Sequence, residues 1–214
     1  MGIIPDVKAN LGKAKGKGVD MELNYEKSFN KDLWITGRGT FTYATSEAVE
    51  WEEPDYSETP WLSKVGKSLG QTWGYIAERL FVDEEEVKNS PTQFGEYMAG
   101  DIKYRDVNGD GKISELDKVP IGYPTTPEIN YGFGVSLRWR RFDLSVFFQG
   151  ATHVGRMIGG SQVYGSDGSI LSLGNFYEEV AENRWTEWNP DPNAKYPRMW
   201  MSAFDNNKQQ SSYW

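Results

Sequence analysis

The sequence predicts an all-β chain: a fragment of antiparallel transmembrane β-barrel wall, about four wall strands in two hairpins, with long extracellular loops. Three observations predict it. Two stretches alternate apolar residues with polar ones or glycine over about ten positions, and each folds back through a tight turn. The remaining connections are longer than a compact soluble domain tolerates. No apolar run approaches the ~20 residues of a spanning helix.

Residues 1–17 read as a lead-in segment, and the apolar Gly-Ile-Ile after Met1 is too short for an export signal, which is expected outside this stretch. Residues 18–45 read as the first wall hairpin. Val19, Met21, Leu23 and Tyr25 share one face, with Asp20, Glu22 and Asn24 on the other. After a turn at Asn30-Lys-Asp32, Leu33, Ile35, Phe41 and Tyr43 return in phase. Residues 46–129 form a long extracellular loop. Within it Asp83 is expected to cap a short solvated helix with Glu86 at the capping-box position, and Asp101-Ile-Lys-Tyr-Arg105 alternates like a strand.

Residues 130–149 read as the second wall hairpin: Tyr131, Phe133, Val135, Leu137 and Trp139, a turn near Arg140-Arg141, then Phe142, Leu144, Val146 and Phe148, with Phe147 out of phase. Residues 150–214 read as a further extracellular loop that stops before more strands. There Asn175 is expected to cap a helix from Phe176 to Asn183. Both tight turns fall on one side of the strands and the long loops on the other, the plan of an outer-membrane barrel with its short end periplasmic.

A net charge of −8 and a pI near 4.8 disfavour nucleic-acid phosphate as a partner and leave cations, neutral glycans or peptides open. Without cysteine there is neither a disulfide framework nor a thiolate metal site. Nine Trp, twelve Tyr and ten Phe beside a mean hydropathy of −0.66 suit sugar-binding surfaces or the interface girdles of a barrel.

The acidic loop Asp106-Val-Asn-Gly-Asp-Gly-Lys-Ile-Ser-Glu-Leu-Asp117 has the spacing of a calcium loop. Asp106, Asn108 and Asp110 would give side-chain oxygens, Lys112 its carbonyl, Ser114 a hydroxyl or bridging water, and Asp117 the closing ligand for Ca2+ or Mg2+. The closing position is Asp rather than Glu, and the flanks are not a helix pair. A knot of Asx and glycine turns without metal is the competing reading. The aromatics Trp185, Trp188, Tyr196 and Trp200 are candidate stacking planes for a substrate, set against the plainer reading that they lock a proline-rich loop. No paired acid/base spacing and no nucleophile elbow stand out, and His153 reads as a lone loop histidine, so no catalysis is expected.

Four motifs carry a family resemblance: Asn10-Leu-Gly-Lys-Ala-Lys-Gly-Lys-Gly-Val-Asp20, Gly100-Asp-Ile-Lys-Tyr-Arg-Asp-Val-Asn-Gly-Asp-Gly111, Phe142-Asp-Leu-Ser-Val-Phe-Phe-Gln-Gly150, and Asn183-Arg-Trp-Thr-Glu with Asn193-Ala-Lys-Tyr-Pro-Arg198. The chain resembles the C-terminal barrel region of SusC-like (RagA-type) TonB-dependent outer-membrane transporters of Bacteroidota. The resemblance implies import of glycan fragments or peptides, energised through TonB and lidded by a SusD-like lipoprotein, in contact with outer-membrane lipid. It implies a fragment too, since four strands cannot close a barrel. The alternative is a secreted, calcium-stabilised carbohydrate-binding β module. A glycoside hydrolase would need two carboxylates about 5 to 9.5 Å apart.

Overall fold

A computed structural model describes residues 11–158, 177–199 and 206–214. The chain divides into two compact units, one built from residues 1–55, 63–71 and 123–155 and the other from 56–62, 72–122 and 156–214.

The first unit is one four-stranded antiparallel sheet in the order β1-β2-β7-β8, with β1 at Lys13–Ser28, β2 at Leu33–Glu50, β7 at Ile129–Trp139 and β8 at Phe142–Thr152. Strands β1 and β2 begin and end about five residues beyond the expected 18–45 hairpin, so the lead-in gives way to strand at Lys13. At the first turn Asn30 Oδ1 accepts from the Asp32 and Leu33 amides, both at 2.8 Å, a side chain standing in for a backbone turn. The second turn is the pair Arg140-Arg141, with Arg140 in left-handed backbone at φ 54°. The Arg140 amide donates to the Asp32 carbonyl at 2.7 Å, which sets the two turns side by side at one end of the sheet.

Register decides the faces, because residues directly opposite in an antiparallel ladder share a side. Met21 pairs with Phe41, Phe41 with Tyr131 and Tyr131 with Gly150. Leu23, Gly39, Phe133 and Phe148 make the next such row, and Tyr25, Gly37, Val135 and Val146 the one after. The expected outward set of Val19, Met21, Leu23, Tyr131, Phe133, Val135, Phe142, Leu144 and Val146 therefore lies on a single face. It is open to solvent in this chain, with Leu23 74% and Phe142 71% exposed. Covering one such side chain is worth ~1.5–3 kcal/mol. A face of this extent suits hydrocarbon and would be a large unpartnered patch in water.

The opposite face is polar and satisfied across the strands. Thr42 donates to Asp20 at 2.8 Å, Trp34 Nε1 to Glu26 at 3.1 Å, and Arg38 pairs with Glu22 at 3.3 Å. Phe147 is the exception for a steric reason: its ring lies over Gly132 and Gly134, where an added Cβ would come within 2.8 and 2.6 Å of the ring. Strands β1 and β8 have a sheet partner on one side only among the described residues, so the sheet is a section with two edges.

The second unit is built mostly from what reads from sequence as two long extracellular loops. Two small antiparallel strand pairs, β3 (Thr72–Gly74) with β6 (Val119–Ile121) and β4 (Ala77–Leu80) with β5 (Ile102–Tyr104), frame a core of Tyr75, Leu80, Ile102, Tyr104, Ile113 and Trp185. Its helices are short, α1 at Glu84–Lys88 and α2 at Glu178–Asn183. Helix α2 begins at a Tyr177 N-cap that makes no side-chain cap bond, two residues later than expected, and Asn175 and Phe176 lie outside the described residues. No helix among the described residues is long and apolar enough to cross a membrane.

Candidate functional site

The acidic loop folds as a knot held by its own side chains. Gly109 and Gly111, at φ 75° and 82°, turn the backbone so that their amides reach Asp106 at 2.7 and 2.8 Å. Asn108 accepts from the Asp110 amide at 3.0 Å, and Asp110 accepts from the Lys112 amide at 2.8 Å and from Asn108 Nδ2 at 2.9 Å. Asp117 is fully buried. Its carboxylate accepts from the amides of Val107 (2.8 Å), Asn108 (3.3 Å) and Ser114 (2.7 Å), and Ser114 Oγ in turn caps the short turn Glu115–Asp117. The six expected ligand positions lie in this one loop, but the side-chain oxygens of Asp106, Asn108, Asp110, Ser114 and Asp117 accept from its own amides. Among the described residues no group of three or more acidic or histidine side chains converges as a cation cluster. The donor set as folded does not form a ready cation cage.

The four candidate aromatics separate. Trp185 is buried, its ring lying against Gly100, where an added Cβ would meet it at 2.3 Å. Its Nε1 has no acceptor among the described residues. Tyr196 is half-buried, and its carbonyl accepts from the Trp185 amide at 2.9 Å, so these two form the lock of the proline-rich arm. Trp188 stands 94% exposed on a tight turn closed by hydrogen bonds between Thr186 and Asn189. Trp200 lies outside the described residues. Beside Trp188 runs an open groove of about 610 Å³, walled by Val82, Met98, Arg184, Pro190 and Arg198.

At the root of that arm lies a buried polar junction that sequence reasoning missed. Asp101 is 1% exposed and accepts from Arg198 (2.9 Å), Asn207 Nδ2 (2.7 Å) and the Met98 amide (2.9 Å). Desolvation raises its pKa above the ordinary carboxylate value, and the Arg198 charge works against that rise. Asn206, Asn207 and Gln93 then bind the backbone of β5: Asn207 accepts from the Ile102 amide at 2.9 Å, and Gln93 from the Tyr104 amide at 2.6 Å. No sequence motif announces this cluster; four amide and acid side chains among apolar neighbours are the only signal.

Glu86 corrects the expectation of a solvated helix. Asp83 caps α1 by accepting from the Glu86 amide at 2.8 Å, as expected, but the Glu86 carboxylate turns inward to Lys103 (2.8 Å), Arg79 and the Val82 amide (2.9 Å). Burial opposes its charge, yet those donors outweigh burial and hold it down to about 2. A depressed carboxylate contributes stability that is whole above about 4.5 and is lost as the pH falls from there towards 2. Melting temperature followed against pH is expected to fall less steeply over that window in Glu86→Gln than in the parent. His153 likewise has partners, stacked on Tyr123 at 4.6 Å with Glu128 3.5 Å from Nδ1.

Comparison with known proteins agrees with this picture. No family model matches the chain. TonB-dependent receptor P3 of Formosa agariphila is 23% identical over 201 residues, 88% of this chain, and TonB-dependent receptor P26 of the same organism is 33% identical over 130 residues, 59% of this chain. The chain spans only 19% and 12% of those relatives. Among solved structures, the RagAB peptide transporter matches 92% of the chain with a TM-score of 0.60 at 19% identity, the chain covering 22% of it. Its closed-closed state matches with a TM-score of 0.57. The resemblance read from the motifs holds. The relatives are receptors and the structural neighbour a transporter, none of them an enzyme, and the fold is that of a section of the transporter.

Proposed function

We propose, from this kinship with TonB-dependent receptors, that the chain is a section of the wall and outer loops of an outer-membrane importer driven through TonB. The cargo is oligosaccharide or peptide, with a SusD-like lipoprotein as lid, and the chain performs no catalysis. One observation carries the reading: all four strands put their apolar residues on a single open face, Trp34 and Phe147 excepted, while both tight turns lie at one end. A secreted carbohydrate-binding module would have to cover that face.

The test is made on the complete protein. Support is recovery in outer membranes as a heat-modifiable band, co-purification of a lipoprotein, and TonB-dependent uptake of labelled oligosaccharides or peptides. A monodisperse protein in plain buffer without detergent would overturn it. Trp188, exposed on its tight turn beside the groove, is assigned to cargo contact, with Trp185 and Tyr196 as its support. Trp188→Ala is expected to weaken cargo binding about tenfold, read by calorimetry with the transported oligosaccharide or peptide.

For the acidic loop the reading is a weak divalent-cation site that organises the outer connection. A cation would have to draw Asp106, Asp110 and Asp117 away from the amides they now accept. Affinity for calcium is therefore expected at ~10⁻⁴ to 10⁻³ M. Titration with calcium and magnesium checks this, and silence with both leaves the hydrogen-bonded knot alone.

A further inference from the structure

In a chain of net charge −8, the two tight turns are basic. Lys27, Lys31, Arg140 and Arg141 gather there against one carboxylate, Asp32. The turns adjoin through the Arg140 amide and the Asp32 carbonyl, so these cations belong to one edge of the sheet. Arg140 also approaches the Asp32 carboxylate at 3.7 Å, but both side chains are more than half exposed, and so open a pair does not withhold the guanidinium. Register puts Lys27, opposite Ile35, on the same side as Tyr25 and Leu23, at the end of the apolar run of β1.

Aromatic rings stand beneath the cations. The Arg140 guanidinium lies 5.6 Å from the centre of the Trp139 ring, and Lys27 Nζ 5.0 Å from that of Phe29. Trp139 stacks on Phe142 at 6.4 Å, and both are outward members of the apolar face, 50% and 71% exposed. At the turn between β7 and β8 the order is therefore apolar band, aromatic rim, cations, while at the end of β1 Lys27 precedes Phe29. The β7–β8 order matches the sequence of environments from acyl chain through interface to headgroup.

We propose that this rim seats the phosphate of anionic phospholipid headgroups in the leaflet that faces the short turns. The inference rests on the barrel-wall reading. Continuity with the apolar face selects a lipid over a free anion, because a soluble phosphate gains nothing from Trp139 and Phe142. Charge sign selects an anionic headgroup over a zwitterionic one. Arg138 serves as an internal control: it sits one residue from the turn but on the polar face, paired with Asp143 at 3.5 Å.

The experiment reconstitutes the complete protein in vesicles of phosphatidylcholine with phosphatidylglycerol and measures co-purifying lipid by native mass spectrometry. The parent is expected to retain phosphatidylglycerol in preference to phosphatidylcholine, with about fivefold of that preference lost per cation removed. The variant K27Q/K31Q/R140Q/R141Q should show no preference, and Arg138→Gln the full one. Lys31→Gln and Arg141→Gln, singly at exposed turn positions, report the same loss in part if the fourfold variant does not fold. No preference in the parent, or a preference surviving in the variants, overturns the proposal. A parent that enters neither mixed nor pure phosphatidylcholine vesicles overturns the barrel-wall reading instead.

Discussion

Leu144→Arg in the complete protein is expected to impair insertion, while Ser145→Arg one residue away is expected to be milder. Leu144 pairs with Leu137, which pairs with Ile35 and that in turn with Lys27, so it lies on the apolar face one row in from the Trp139–Phe142 rim, and it is 63% exposed there. A cation on the lipid side of a barrel costs ~2–4 kcal/mol at the bilayer midplane and ~0–1 kcal/mol near the interface, and this row falls between the two, against a total stability of only ~5–15 kcal/mol for a typical domain. Ser145 pairs with Ser136, their hydroxyls 2.8 Å apart, on the face that already holds Arg38 and Arg138. An arginine there meets water and carboxylates. The heat-modifiable band in outer-membrane fractions measures both, and equal losses from the two substitutions would contradict the assigned phase.

Arg198→Met is expected to cost ~3–5 kcal/mol, the usual penalty for removing one partner of a buried ion pair. The Asp101 carboxylate, 1% exposed, would keep its bonds from Asn207 and Met98 but lose the only cation among its described partners. Because burial already raises its pKa, removing Arg198 should raise it further. A carboxylate raised in the folded state is destabilising above its folded value and relieved below it, so the variant should regain stability as the pH falls. Hydrogen exchange at the Ile102 and Tyr104 amides, which Asn207 and Gln93 hold, reads the local loss. The double variant Asp101→Asn with Arg198→Met should recover much of it, since no uncompensated charge remains. A single variant as protected as the parent would show that the pair does not hold the arm.

The site divided along the same line as the fold. The acidic loop was readable as a turn-dense knot, because Asx and glycine turns are short-range features. That its carboxylates face amides required the coordinates. Of the aromatic quartet, composition could not tell Trp185, buried on Gly100, from Trp188, which is 94% exposed. The two differ by three positions, and only the shape of the arm separates them.

By itself the sequence determined the four strands, both tight turns, the single apolar face and the cap at Asp83. Each rests on a period of two or on a side chain reaching a few residues along its own backbone. Only the tertiary structure decided that residues 72–122 join 177–199 and 206–214 around one core. It alone showed Glu86 drawn inward and Asp101 as the meeting point of Arg198 and Asn207. Those partners stand 97 and 106 residues from Asp101 in the chain. A buried polar contact across that distance leaves no periodic trace, because it is fixed by desolvation and hydrogen-bond geometry after the backbone has folded.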